Sequence, residues 1–175
     1  MSKKVAVLAV NPVNGSGLFQ YLEAFFENGI QYKTFAVADS REIKSNSGVT
    51  LIVDDVVANL KGKEDEFDAV VFACGDAIPQ YMENAGKEYN KDMVAVLKAF
   101  LGKNKILVGH CGVAVLLDHL DTISGKRVAV HPYAKPAIKN AIASDEKTEI
   151  DGNIYTAQTE NSIWMLIPEL LKVLK

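Results

Sequence analysis

Apolar positions along this 175-residue chain fall into two alternating patterns. One is a short, nearly unbroken β-type run. The other is a helical stripe with apolar residues three and four apart. Residues 4–10 (Lys-Val-Ala-Val-Leu-Ala-Val) are of the first kind, the pattern of a strand buried on both faces. A polar turn rich in Gly, Pro and Asn follows at residues 11–17. Ser16 is placed there to cap a helix whose apolar residues include Leu18, Phe19, Leu22, Phe25 and Phe26. Asn28 and Gly29 end that helix, and residues 31–37 read as the next strand. A β-α-β unit with such short connections predicts parallel strands.

The alternation continues. Residues 49–53 predict a short strand in a hairpin with the segment before it. Residues 68–73 predict a second buried strand, ended by a Cys74-Gly75-Asp76 loop. Residues 78–84 predict a short helix. Residues 89–101 predict a longer one, with Met93, Val94, Val96, Leu97, Phe100 and Leu101 on its apolar face and Gly102 closing it. A strand at 105–108 is followed by a helix at 113–120. Residues 125–131 begin as a strand and stop at Pro132, and residues 134–143 read as a helix. Asp151-Gly152 is a hairpin turn signal between two β-type segments, and residues 163–174 form an amphipathic helix containing Pro168. Strands alternating with helices, without repeats or a linker, predict one domain over residues 1–175. Its expected architecture is a three-layer α/β/α sandwich around a mostly parallel sheet.

Composition narrows the function classes. Hydrophobic residues are 49% of the chain, which excludes a disordered protein. The formal charge is −3, with acids and bases interspersed and no basic stripe, so nucleic acid is not an expected partner. No apolar run is long enough to cross a bilayer, and Met1-Ser-Lys-Lys leads straight into a strand rather than a signal peptide. Two cysteines do not make a disulfide framework. The expectation is a cytoplasmic protein with reduced thiols and no membrane partner.

The candidate chemistry sits in Lys105-Ile-Leu-Val-Gly-His-Cys-Gly-Val-Ala-Val-Leu-Leu117. An apolar β-type run ends at Gly109, and a helical pattern starts after Gly112. A cysteine at a strand-to-helix turn is lifted from the backbone towards helix N–H groups, which favour thiolate over thiol. The arrangement resembles the nucleophile elbow of serine hydrolases with sulfur in place of oxygen. In an open α/β sheet, ligands collect beyond the carboxyl ends of the strands. The loop after the first strand, the Cys74-Gly75-Asp76 turn, the Cys111 elbow and His131 all fall there. Cys111 can be a nucleophile and His131 its base or electrostatic partner. The backbone N–H groups of Gly75 and Gly112 can form an oxyanion hole. The same residues also admit a structural reading, with Cys111 a small core hydrophobe and His131 a turn residue before proline. No His/Cys cluster accompanies Asp54-Asp55, so no metal or other cofactor is expected.

The chain resembles the PfpI superfamily, whose fold is flavodoxin-like and class I glutamine-amidotransferase-like, and is most similar to its branch of the Parkinson-disease-associated protein deglycase. Three stretches carry the resemblance: Phe67-Asp-Ala-Val-Val-Phe-Ala-Cys-Gly-Asp76, Gly109-His-Cys-Gly-Val-Ala-Val-Leu-Leu117, and Gly125-Lys-Arg-Val-Ala-Val-His-Pro-Tyr-Ala-Lys135. The resemblance implies that Cys111 is the reactive cysteine, His131 its partner, and Gly75 and Gly112 the backbone donors. It also implies a homodimer and a small-molecule substrate.

The departures from the family pattern are specific. The family places a glutamate beside the sulfur, in the loop after the first strand; here Ser16 or Gly17 falls at that position. Peptidase-like members place a histidine just after the cysteine; here Gly112 follows and His110 precedes. Adjacent strand side chains face opposite ways, so His110 is expected outside the Cys111 pocket. Cys74 replaces a turn glycine, and Val113 replaces the last glycine of the elbow. The family's Gly-Pro-Gly-Thr-Ser before the final helix is Thr159-Glu-Asn-Ser-Ile163, where Glu160 is read as a capping or first-turn acid. Three functions follow from these residues. One is a cysteine-dependent enzyme of hydrolase, glyoxalase or deglycase type, acting on a small carbonyl or acyl compound. Another is a redox or stress-response protein whose cysteine is oxidised, with Cys74 able to resolve it. The third is a binding module that has lost catalysis.

Overall fold

The computed structural model describes residues 3–74 and 77–175, with side chains from residue 79 onwards after that break. Strand β1 (Lys4–Val10) is buried along nearly its whole length, as its unbroken apolar run requires. Helix α1 (Gly15–Glu27) follows, and β2 (Gln31–Val37) pairs with β1 in parallel, residue 4 opposite residue 31. Strands β3 (Glu42–Lys44) and β4 (Thr50–Ile52) make a separate antiparallel hairpin. A short β5 (Asp55–Val56) then joins the open edge of β2. The second half adds β6 (Ala69–Ala73), α2 (Ala77–Asn84), α3 (Glu88–Gly102), β7 (Ile106–His110) and α4 (Val113–His119). A small parallel pair, β8 (Arg127–Val128) and β9 (Ile142–Ala143), precedes the hairpin β10 (Thr148–Asp151) and β11 (Ile154–Ala157). Helix α5 (Ile163–Leu174) closes the chain.

Among the described residues the main sheet has the order β10-β11-β7-β6-β1-β2-β5, and only the β10 edge is antiparallel. Helices flank it. Helix α1 packs against α5, while α3 lies across β2, β6 and β7. This is the three-layer α/β/α arrangement that the alternating pattern predicts. The centre of the sheet is dry: Val5, Leu8, Val71, Phe72, Leu107 and Val108 lie in one continuous apolar core. Parallel strands covered on both faces need such continuous runs. The carboxyl ends of β1, β6, β7 and β11 therefore converge on one edge of the sheet, where the loops carry the polar residues.

Two local expectations differ from the structure. Ser16 does not cap α1; Asn14 does, its side-chain oxygen accepting the Gly17 N–H at 2.5 Å. An asparagine three residues before the first orphan N–H reaches it as well as a serine does. Residues 134–143 are not an α-helix. A 3-10 segment, Pro132–Ala137, gives way to an extended Ile138 and then to β9. Pro136 lies inside that segment, has no N–H to donate, and stops the helical pattern from propagating. Asp118 holds the remainder in place. Its carboxylate accepts the N–H groups of Lys139, Asn140 and Ala141 at 2.7–2.9 Å.

Candidate functional site

The end of β7 builds the site. Gly109 is the last residue before it that needs to be small: a Cβ there would stand 2.5 Å from a Val113 methyl. The bare backbone lets the strand turn back against the first residue of α4. Val113, which replaces a glycine of the family pattern, thus packs against the glycine four residues earlier. Cys111 makes the turn itself, with φ at +59°. Left-handed backbone costs a non-glycine residue roughly 1–2 kcal/mol. Such strain is typical of sites where a side chain is held for chemistry. The result is a half-buried sulfur-bearing side chain at the tip of the elbow.

Two segments grip the elbow. The Cys111 N–H donates to the carbonyl of Ala157, the last residue of β11, at 3.2 Å. The Cys111 carbonyl accepts the N–H of His131 at 3.3 Å. Both segments continue outwards from these contacts. One runs from His131 into Pro132 and Tyr133, the other from Gln158 into the 3-10 turn Glu160–Ser162 and α5. Between them lies an open cleft of about 610 Å³, bordered by His131, Tyr133, Lys147, Gln158, Trp164 and Met165 among others. The structure thus brings His131 to the backbone of Cys111. Gly112 sits at the N-cap of α4 with ordinary helical-type dihedrals. Gly75 lies outside the described residues.

The His131 ring is orientated by its own turn. Its Nδ1 accepts the Tyr133 N–H at 3.3 Å, and the two rings lie 5.4 Å apart at a 34° tilt. A neutral imidazole that accepts at Nδ1 carries its proton on Nε2.

His110 occupies the other side of the strand end. It is 1% exposed, and its Nδ1 lies 3.4 Å from the Tyr21 hydroxyl of α1. Its Nε2 is buried with no hydrogen-bond partner among the described residues. The ring lies against the bare backbone of Gly17: a Cβ on that glycine would come within 2.5 Å of His110 Nε2 and 2.8 Å of Asn14 Oδ1. Burial pushes the His110 pKa down to about 4, so the ring is neutral at pH 7. Burial, and then the neighbouring Cys74, raise the Tyr21 hydroxyl well above its ordinary value, so it too is neutral. Gly17, one of the two positions at which the family pattern would place its glutamate, is thus a glycine with a histidine ring packed over it. Sequence reading places His110 on the face away from Cys111 but does not see this contact, because the partners are 93 positions apart. Cys74 is buried at the end of β6, and its carbonyl accepts the Asn14 N–H at 2.8 Å. Thr159 caps the turn that begins with Glu160, whose side chain is therefore a first-turn acid.

A parallel α/β sheet with a strained cysteine at a strand-to-helix turn defines a class of protein, and comparison with known proteins agrees with it. The DJ-1/PfpI family model matches residues 3–173, and the chain belongs to that family. It is 63% identical, over the full length of both chains, to Protein ppBat of Bacteroides thetaiotaomicron. The crystal structure of a protein from the same organism, provisionally named protease I, superposes with a TM-score of 0.97 at 63% identity. That match covers 99% of this chain and 100% of the other. Drosophila melanogaster DJ-1beta, at 18% identity, shares the fold with a TM-score of 0.85 over 99% of this chain and 91% of its own. Among the described residues no helix is long and apolar enough to cross a membrane.

Proposed function

We propose that the chain is a cysteine-dependent enzyme in which Cys111 attacks a small carbonyl or acyl compound. The observation that carries this reading is the +59° φ of Cys111, a strained backbone that a merely space-filling cysteine does not need. In acyl transfer, Sγ forms a bond to the carbonyl carbon and the carbonyl oxygen takes up the negative charge. Collapse of that adduct expels the amine or thiol, which leaves with a proton. Water then attacks the acyl-enzyme and restores Cys111. Because His131 accepts at Nδ1, its Nε2–H suits a donor to the thiolate or to the leaving group. The buried His110 carries no charge to assist at neutral pH.

Activity with acyl substrates and with methylglyoxal, compared between the native chain and Cys111→Ala, tests the reading. Loss of activity by 100-fold or more in the variant is expected. Activity that survives the substitution overturns it. The difference in burial between the two cysteines favours a second use of the same thiol, reversible oxidation. Mild peroxide followed by mass spectrometry should then modify Cys111 and spare Cys74.

A further inference from the structure

We propose that the cleft beside Cys111 selects substrates that pair a carboxylate with a flat apolar group, as an aryl-substituted oxo acid or acyl amino acid does. The inference rests on Cys111 being the reacting group and adds the class of molecule presented to it.

The cleft is placed for this. Its two walls continue the two segments that hydrogen-bond to the Cys111 backbone: His131, bonded to the Cys111 carbonyl, and Gln158, which follows Ala157, both line it, although Cys111 itself does not. Its volume, about 610 Å³, falls within the range of small-molecule sites. Its apolar surface is unusual. Tyr133 is 93% exposed and Trp164 65%, with Met165 beside Trp164 also exposed. Large rings are seldom left this open unless something covers them. Tyr133 is also not loose, since its backbone N–H and its ring both engage His131.

The charge in the cleft identifies the second half of the ligand. Among the described residues that line it, none is acidic, while Lys147 brings an ammonium. The Lys147 ammonium donates to a neutral acceptor, Gln158 Oε1, at 3.0 Å, and among the described residues no carboxylate forms an ion pair with it. With its oxygen turned to Lys147, Gln158 still has its amide N–H donors to offer a ligand. An ammonium and an amide N–H pair next to two aromatic rings match a carboxylate attached to a planar body.

Trp164 is the chain's single tryptophan, so its fluorescence reports directly on the cleft. The probes are 3-phenylpropionate and its neutral isostere 3-phenylpropanamide, titrated into the full chain and into Cys111→Ser. Saturable change in Trp164 emission with the carboxylate is expected in both proteins, and the amide should bind more weakly. Lys147→Gln should weaken the carboxylate about three- to fivefold and leave the amide unchanged, the size expected of an exposed ion pair. Tyr133→Ala should weaken both probes alike. No saturable change, or equal binding of acid and amide, overturns the proposal. So does self-association that shifts Trp164 emission with protein concentration alone, because the rings would then be an interface between copies. Failure of the underlying reading looks different: both probes would bind as expected while Cys111→Ala left turnover intact.

Discussion

The strand end at residues 110 and 111 has two sides built on opposite principles. On one, His110 is sealed beneath α1 with one ring nitrogen near Tyr21 and the other without a partner among the described residues, over a glycine with no side chain to offer. On the other, Cys111 is half-buried, and the segments bonded to its backbone lead to a cleft bordered by the exposed Tyr133, Trp164 and Lys147. His110 ends the strand and Cys111 turns the chain with a left-handed φ, so one peptide unit separates a polar group that the fold has removed from water from one that is only half-buried. The comparison teaches that burial by itself does not mark the site. The buried histidine is made neutral and inaccessible, and the strained, half-buried cysteine next to it is the group we propose for chemistry.

The sharpest way to break this comparison is to release the open side. Asp118→Ala removes a carboxylate that accepts three backbone N–H groups from the segment after Pro132–Ala137. Leaving those donors unsatisfied should cost about 3–5 kcal/mol in denaturant unfolding. It should also loosen His131, read as a changed rate of Cys111 alkylation.

Acid should act on the closed side. The folded pKa of His110 lies below its ordinary value of 6.5, at about 4. As pH falls from 6.5 towards 4, the unfolded chain takes up a proton that the folded chain refuses, so stability is lost across that window. Below pH 4 both states are protonated and the loss stops growing. The difference corresponds to about 3 kcal/mol. Unfolding free energies at pH 7.5 and pH 4.5 should converge in His110→Phe relative to the native chain.

A third test addresses the close approach itself. Gly17→Ala inserts a Cβ into the His110 ring and should destabilise by about 1–2 kcal/mol, even though alanine is the better helix former. In a His110→Ala background most of that penalty should disappear. An equal penalty in both backgrounds would mean that the histidine is not what the glycine accommodates. The smallest effect is expected on the open side. Tyr133→Ala should change stability by less than about 0.5 kcal/mol, because the ring is almost wholly solvated.

Much of the fold is legible in the sequence because its signals are local. The continuous run at Lys4–Val10 and the stripe in Ile163–Leu174 specify strand and helix through their own periodicity, whatever they pack against. Asn28 and Gly29 do the same for the end of α1. The 3-10 segment at Pro132–Ala137 escapes such reading, since its apolar residues mimic a helix that Pro136 prevents. The candidate site is legible only in part. That Cys111 and His131 lie together is legible because strand-end positions in a parallel sheet converge predictably. Asp118 is missed, since an aspartate inside a helix reads as surface until the loop it clamps is seen folded over it. Gly17 is recognised as an oddity without its reason.

By itself, then, the chain determined its layers, the mostly parallel pairing of its strands, and the cysteine at the turn, all consequences of hydrophobic period and turn chemistry. Tertiary structure decided what surrounds that cysteine. Which atoms meet Gly17, which carbonyl receives the Cys111 N–H, and which rings border the cleft depend on contacts between residues tens of positions apart. Those contacts leave no periodic trace, because each is a single close approach rather than a repeated pattern.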